Sequence, residues 1–199
     1  VSVVPSYTAT LTTLPNPPNL CDGDPVTIEA NAVGGASYEF FVNGLTQGAP
    51  SGVRTLNGVF TNGQEVKVAI SVSSCTITSD PITIITNPNP ISTLSAVGVV
   101  SNTICENNLP TILANPVGNY SYTFFVNDLP VPPAAVTTNS LDLSQLPSVT
   151  NPIKIDVTVL DNITGCSNTT TTTNDSSLIL NTNSLTGFNT IGTGTVSYC

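Results

Sequence analysis

An eight-residue segment, SYEFFVNG at residues 37–44, returns as SYTFFVND at residues 121–128, and its surroundings return with it. Cys21 precedes Tyr38 by 17 residues and Cys105 precedes Tyr122 by 17, so both landmarks move by 84. A period of that length means one folding unit built twice, since stretches that bury equivalent side chains adopt equivalent structures. The 199-residue chain then holds two small domains, residues 1–88 and 89–182. The last residues, TGTVSYC, approach Cys199 much as PNPPNLC approaches Cys21 and VSNTIC approaches Cys105, so residues 183–199 read as the start of a third repeat.

Within each repeat the apolar residues alternate with a period of two, as in PVTIEA (25–30), EVKVAISV (65–72), PITIIT (81–86) and IKIDVTVL (153–160). No window carries a helical stripe. Asn43-Gly44, Asn57-Gly58, Asn62-Gly63 and Asn151-Pro152 punctuate the runs with turn chemistry. Short strands at this spacing predict an all-β protein of tandem Ig-like sandwiches, elongated along the array. The expected strands of the first repeat lie near 6–13, 25–31, 37–43, 45–48, 53–60, 65–73 and 80–87. Those of the second lie near 91–98, 110–115, 120–127, 129–132, 137–143, 152–160 and 171–180. Aligning Val66–Ile70 with Ile153–Val157 at an offset of 87 places Lys67 and Lys154 in matching positions. NPNP (87–90) and NTNS (181–184) are the expected junctions, since proline removes a ladder donor and restricts the residue before it.

Charge and cysteine content narrow the function. The net charge is −9 and the only basic residues are Arg54, Lys67 and Lys154, too few to neutralise a phosphate backbone or bind an anionic bilayer. Nucleic acid and membrane insertion are excluded on that basis, and no apolar run is long enough to span a bilayer. The N-terminal VSVVPSYTATL lacks a charged leader before an apolar core, so the sequence reads as a mature or excised segment. Five cysteines with no CxxC pair and no histidine argue for disulfides over zinc or haem, and hence for an oxidising, extracellular setting. No cofactor is expected.

CDGDPVTIEA followed by SYEFFVNG, then EVKVAISVSSC and a TIT-type strand, resembles the Ig-like repeats of giant cell-surface adhesins of the Bacteroidetes, of which the SprB-type gliding-motility adhesins are examples. The likeness covers nearly the whole first repeat and is weaker in the second, where Cys105-Glu106-Asn107-Asn108 departs from Cys-x-Gly-Asp. It implies a segment exported by type IX secretion that acts as a stiff spacer in a surface filament, with neighbouring repeats as partners and surface polysaccharide or other cells as candidate contacts.

Two disulfide schemes are open. Cys21–Cys75 and Cys105–Cys166 would close each repeat on itself, in keeping with autonomous folding. Strand parity opposes this, since an odd number of strands between the two cysteines places them at opposite ends of a sandwich. Pairing between repeats, Cys21 with Cys166, is the alternative.

Tyr38, Phe40 and Val42, with Tyr122, Phe124 and Val126, share the face expected to form the cores. Phe41 and Phe125 point the other way and are candidate ligand contacts, able to stack on a sugar or meet a neighbouring filament. Asp22 and Asp24 flank Gly23 in a tight turn; they are weak candidates for Ca²⁺, with a plain turn the simpler reading. The sequons at Asn119, Asn162 and Asn168 carry no weight in a chain so rich in Asn, Ser and Thr. The run Thr169–Thr173 reads as a β-branched strand, with an ice-binding ladder as a remote alternative. With no histidine and no activated Ser or Cys, no catalytic site is expected. The competing functions are a carbohydrate-binding pair of a secreted protein and a fibre subunit that polymerises by strand exchange.

Overall fold

The computed structural model describes residues 6–15, 20–99, 103–105, 108–133, 136–146, 151–170 and 177–183. The protein is nearly all β, and its contacts divide it into two compact units, Val1–Asn89 and Pro90–Cys199. The expected third repeat, apart from residue 183, lies outside the described residues.

In the first unit, β1 (Leu11–Leu14), β2 (Pro25–Ala30) and β5 (Thr55–Val59) form one sheet in the order β1-β2-β5. The second sheet runs β4-β3-β6-β7, built from β3 (Ser37–Val42), β4 (Leu45–Thr46), β6 (Glu65–Val72) and β7 (Cys75–Thr78). The short β8 (Ile82–Thr83) also pairs with β6. The two sheets bury one core between them: Val26 and Ile28 from β2 meet Tyr38 and Phe40 from β3 and Val66, Val68 and Ile70 from β6. These are the inward positions of the period-two pattern, each less than a tenth exposed.

The second unit repeats the plan, with a longer central strand and a longer last strand. β9 (Thr93–Ala96), β11 (Thr111–Asn115), β14 (Val136–Thr137) and β15 (Ser140–Asp142) form a sheet in the order β14-β15-β11-β9. A 3-10 turn, Leu143–Gln145, follows, capped by the Asp142 carboxylate accepting from the Ser144 N–H at 3.0 Å. The other sheet runs β10-β18-β16-β12-β13, from β10 (Thr103–Cys105), β12 (Tyr120–Val126), β13 (Leu129–Pro130), β16 (Ile153–Asp161) and β18 (Leu178–Asn183), with β17 (Ser167–Thr169) also on β16. Phe124, Ile112, Ile153, Ile155 and Val157 fill this core.

The repeated octapeptide explains itself in the structure. Its tyrosine hydroxyl ties down the loop before its strand: Tyr38 Oη accepts from the Val33 N–H at 2.9 Å, and Tyr122 Oη donates to the Pro116 carbonyl at 2.5 Å. Its asparagine closes the central strand pair. The Asn43 N–H donates to the Glu65 carbonyl (2.8 Å) while its side-chain Oδ1 accepts from the Glu65 N–H (2.9 Å). Asn127 makes the same two bonds to Lys154, both at 2.9 Å. Asn43 and Asn127 sit at φ 49° and 50°, and the next residues, Gly44 and Asp128, at 79° and 65°, so each hairpin needs two left-handed residues and the aspartate takes the place of glycine.

This wiring corrects the alignment of the two repeats. Glu65 and Lys154 are equivalent, as are Lys67 and Asp156, which stand opposite Phe41 and Phe125 respectively. The offset along β6 and β16 is therefore 89 rather than 87, and the lysines do not match. Three strands were not anticipated: β7, β10 and β17. The expected strand over 171–180 is observed only from Leu178, residues 171–176 lying outside the described set. NTNS is not a junction, since Asn181–Asn183 continues β18 and pairs in parallel with β10.

Replacing Asn127 by alanine is expected to cost unit 2 about 1–2 kcal/mol, from the lost acceptor and because alanine lacks asparagine's tolerance of positive φ. Asn127→Gly, which keeps the conformation and loses only the bond, should cost less in urea unfolding followed by tyrosine fluorescence. Equal losses would mean that backbone conformation plays no part.

Candidate functional site

Phe41 and Phe125 lie on the outer faces of their sheets, half-buried. Phe41 stands between Thr46 on β4 and Lys67 on β6, beside Glu39, whose Oε1 accepts from the Thr46 hydroxyl at 3.1 Å. Phe125 stands between Pro130 and Asp156. The aromatic ring recurs, but its polar neighbours change from a cation to an anion.

Asp156 is the most constrained polar group on this face, only 6% exposed although it sits on the outward side of β16. It is covered because three donors close over it. Lys154 Nζ lies 3.1 Å from one oxygen, and the hydroxyls of Thr170 (3.0 Å) and Ser177 donate to the other. Lys154 also donates to Asp128 at 2.6 Å. The hydrogen bond to Asp128, then that to Asp156, holds the ammonium protonated to a higher pH than an ordinary lysine. A raised lysine value contributes stability at every pH below the ordinary value and loses it as pH climbs through the folded one, so the cluster is unaffected near neutrality. Its work is to pin the last strand of the unit. Sequence reading passed over Asp156 because an aspartate inside an alternating strand looks like any outward polar residue.

Ser79 and Thr170 are a second feature missed. In each unit the last strand is interrupted where a buried hydroxyl replaces a ladder acceptor. The Val68 N–H donates to Ser79 Oγ at 3.1 Å and the Ser79 N–H to the Val68 carbonyl at 2.9 Å; Val157 and Thr170 repeat the exchange at 2.9 and 3.0 Å. Of the threonine run, Thr169 pairs its hydroxyl with Thr158 at 2.7 Å, and residues 171–173 lie outside the described set.

Asp22 and Asp24 are held by the protein. Asp24 Oδ2 accepts from the Cys21 N–H at 2.9 Å, Asp22 Oδ1 accepts from the Thr86 hydroxyl, and the Asp22 N–H donates to the Asn87 carbonyl at 2.9 Å. The Asp24 carboxylate thus closes the opening turn on itself, and the Asp22 carboxylate fastens that turn to the chain where it leaves the unit. Among the described residues no three acidic or cysteine side chains gather as a metal site would require.

The cysteines divide unevenly. Cys21, Cys105 and Cys166 are disulfide-bonded, whereas Cys75 is a free thiol, which overturns the expectation that Cys75 belongs to a disulfide. The reason is where the strands put them. Cys21 bridges Asn87 at the end of unit 1 that holds the Asn43 turn, while Cys75 follows the β6–β7 turn at the other end. The seven steps along β6 from Glu65 to Val72 separate these ends by roughly 23 Å, against about 6 Å between bonded Cα atoms. Unit 2 forbids the Cys105–Cys166 pair in the same way. Cys105 is in register with Asn183 beyond the Ile153 end of β16, and Cys166 meets Asp161 at the other end, on the order of 25 Å away.

No family model matches the sequence, and no curated protein is similar to it. Among solved structures the chain is similar to the fibronectin(III)-like modules of Clostridium thermocellum CbhA, with 13% identity and a TM-score of 0.36 over 92% of this chain and 100% of that one. No helix among the described residues is long and apolar enough to cross a membrane.

Removing the central carboxylate, as in Asp156→Ala, is expected to take the acceptor from the Thr170 and Ser177 hydroxyls, to leave Lys154 with Asp128 alone, and to destabilise unit 2 by about 2–4 kcal/mol. Lys67→Ala, the equivalent position in unit 1, should change stability by less than about 0.5 kcal/mol in the same urea titration.

Proposed function

We propose that this chain is a repeat segment of an extracellular, modular surface filament, in which each sandwich acts as a stiff spacer that carries or distributes adhesive contacts. The observation that carries the reading is the polarity of each unit. In unit 1, Tyr7 donates to the Cys75 carbonyl at one end and the chain leaves through Asn87 at the other. In unit 2, β9 begins opposite Asn115, and β18 runs out beyond Ile153 at the far end. A module entered at one end and left at the other can be strung in series, and its length then adds to reach. Disulfides and the scarcity of lysine support an extracellular, cell-surface location.

The filament reading extends to gliding motility, where a motor-driven surface fibre needs reach and weak repeated contacts more than one strong site. Solution scattering on the full chain tests the spacer: an elongated particle, about twice as long as one sandwich, is expected, and a compact globule would end the proposal.

Phe41 favours a second reading, because an outward aromatic beside Lys67, Glu39 and Thr46 is the kind of surface on which a sugar stacks. Here the chain would be a carbohydrate-binding pair. The spacer reading expects no specific signal on a glycan array, whereas binding that Phe41→Ala abolishes would replace it with the carbohydrate one.

A further inference from the structure

Phe41 and Phe125 stand at the same place in the two units, but the polar groups beside them are differently engaged. Of the three basic residues, Arg54 pairs with Glu29 at 2.6 Å, and Lys154 with Asp128 and Asp156 at 2.6 and 3.1 Å. Lys67, directly opposite Phe41, has no ion-pair partner among the described residues. Glu39 lies two residues before Phe41 on the same face of β3. Its Oε1 accepts from the Thr46 hydroxyl, while its Oε2 accepts no hydrogen bond among the described residues. Phe41 therefore has a free donor on one side and a free acceptor on the other. In unit 2, Thr123 stands in the place of Glu39 and Pro130 in that of Thr46. The charged neighbour of Phe125, Asp156, is 6% exposed and committed to Lys154, Thr170 and Ser177.

We propose that unit 1 alone carries a carbohydrate site, in which a neutral pyranose stacks on Phe41, donates one hydroxyl to Glu39 and accepts with another from Lys67. The electron-poor C–H face of a sugar ring settles on the negative face of an aromatic ring, and hydrogen bonds at its rim then fix which sugar is held. Opposed Cβ atoms on paired strands are about 5 Å apart, and same-face neighbours on one strand about 7 Å, so one pyranose with its hydroxyls can touch all three side chains. An ammonium offers only donors and an ionised carboxylate only acceptors, a combination that suits two adjacent hydroxyls. The sugar is neutral because Lys67 is outnumbered. Glu65 shares its face of β6 and Glu39 lies on the next strand, in a chain of net charge −9, so a uronate would meet repulsion. The inference rests on the carbohydrate reading of Phe41 and narrows it from a pair of sites to one. Unit 2 keeps the ring but not the free donor and acceptor beside it.

Affinity electrophoresis of the full chain tests the site, in gels loaded with a neutral galactan, a neutral β-glucan, a neutral mannan or polygalacturonate, each mobility taken relative to a polysaccharide-free gel. Retardation by at least one neutral polymer and none by polygalacturonate is expected. Lys67→Ala and Glu39→Gln should each weaken that retardation by about fivefold or more, since each removes a hydrogen bond to a charged group. Phe41→Leu should abolish it and Phe125→Leu should leave it unchanged. Urea unfolding midpoints close to wild type for Lys67→Ala and Glu39→Gln separate a lost contact from a lost fold. If Phe41→Leu abolishes retardation while Lys67→Ala or Glu39→Gln keeps the wild-type value, the carbohydrate reading stands and this inference falls. Equal retardation by polygalacturonate, or a loss in Phe125→Leu, also overturns it. Retardation that survives Phe41→Leu, or none with any of the four polymers, removes the carbohydrate reading and this site with it.

Discussion

The pairing of β3 with β6, and of β12 with β16, is the contact on which both units depend. Each pair supplies the largest share of its core: Tyr38, Phe40, Val66, Val68 and Ile70 in one, Phe124, Ile155, Val157 and Val159 in the other. Because side chains alternate, a slip of one residue would turn all of these outward. Register is fixed at the hairpin end by Asn43 and Asn127, which bond the partner strand through backbone and side chain at once. The octapeptide thus combines a core face with the device that sets its alignment, and that is a physical reason for it to be the best-preserved part of the duplication.

From that pair the rest is placed. β6 carries β7 and β8 on its other edge, and β16 carries β17 and β18, so the closing strand is positioned by the same element that anchors the core. The seven or so strand passes then leave the chain at the far end of the sandwich. Cysteine placement follows from the same parity: among the described residues one cysteine marks each end of each unit, and joining Cys21 to Cys75 or Cys105 to Cys166 would require the strands to be much shorter than their cores demand.

Much of this was legible in the residues. The alternating runs named the central strands to within a residue or two, since burial of a sandwich face leaves a period-two trace. Strands β7 and β17 left little trace because CTIT and SNT are short, polar and exposed on one side; they are strands through pairing with β6 and β16, not through pattern. The matching of Lys67 with Lys154 failed for a related reason. Two alternating segments can be slid by two residues without penalty to the pattern, and only the bonds from Asn43 and Asn127 distinguish the slides. Phe41 and Phe125 were correctly read as outward, but their unlike partners, Lys67 and Asp156, depended on that register. Cys75 showed the limit of counting cysteines, since strand parity raised an objection that composition could not weigh.

The interruption at Ser79 and Thr170 has a consequence for crowding. An unbroken outer strand offers a row of free amides and carbonyls to any sheet drifting past, and repetitive β proteins packed side by side on a surface are especially exposed to such zippering. By turning a hydroxyl into the ladder at mid-strand, unit 1 splits its outer strand into β7 and β8, four and two residues long, while in unit 2 the outer side of β18 is covered by β10. Unit 1 thus shows a second sheet no long uninterrupted row of free amides and carbonyls on that side.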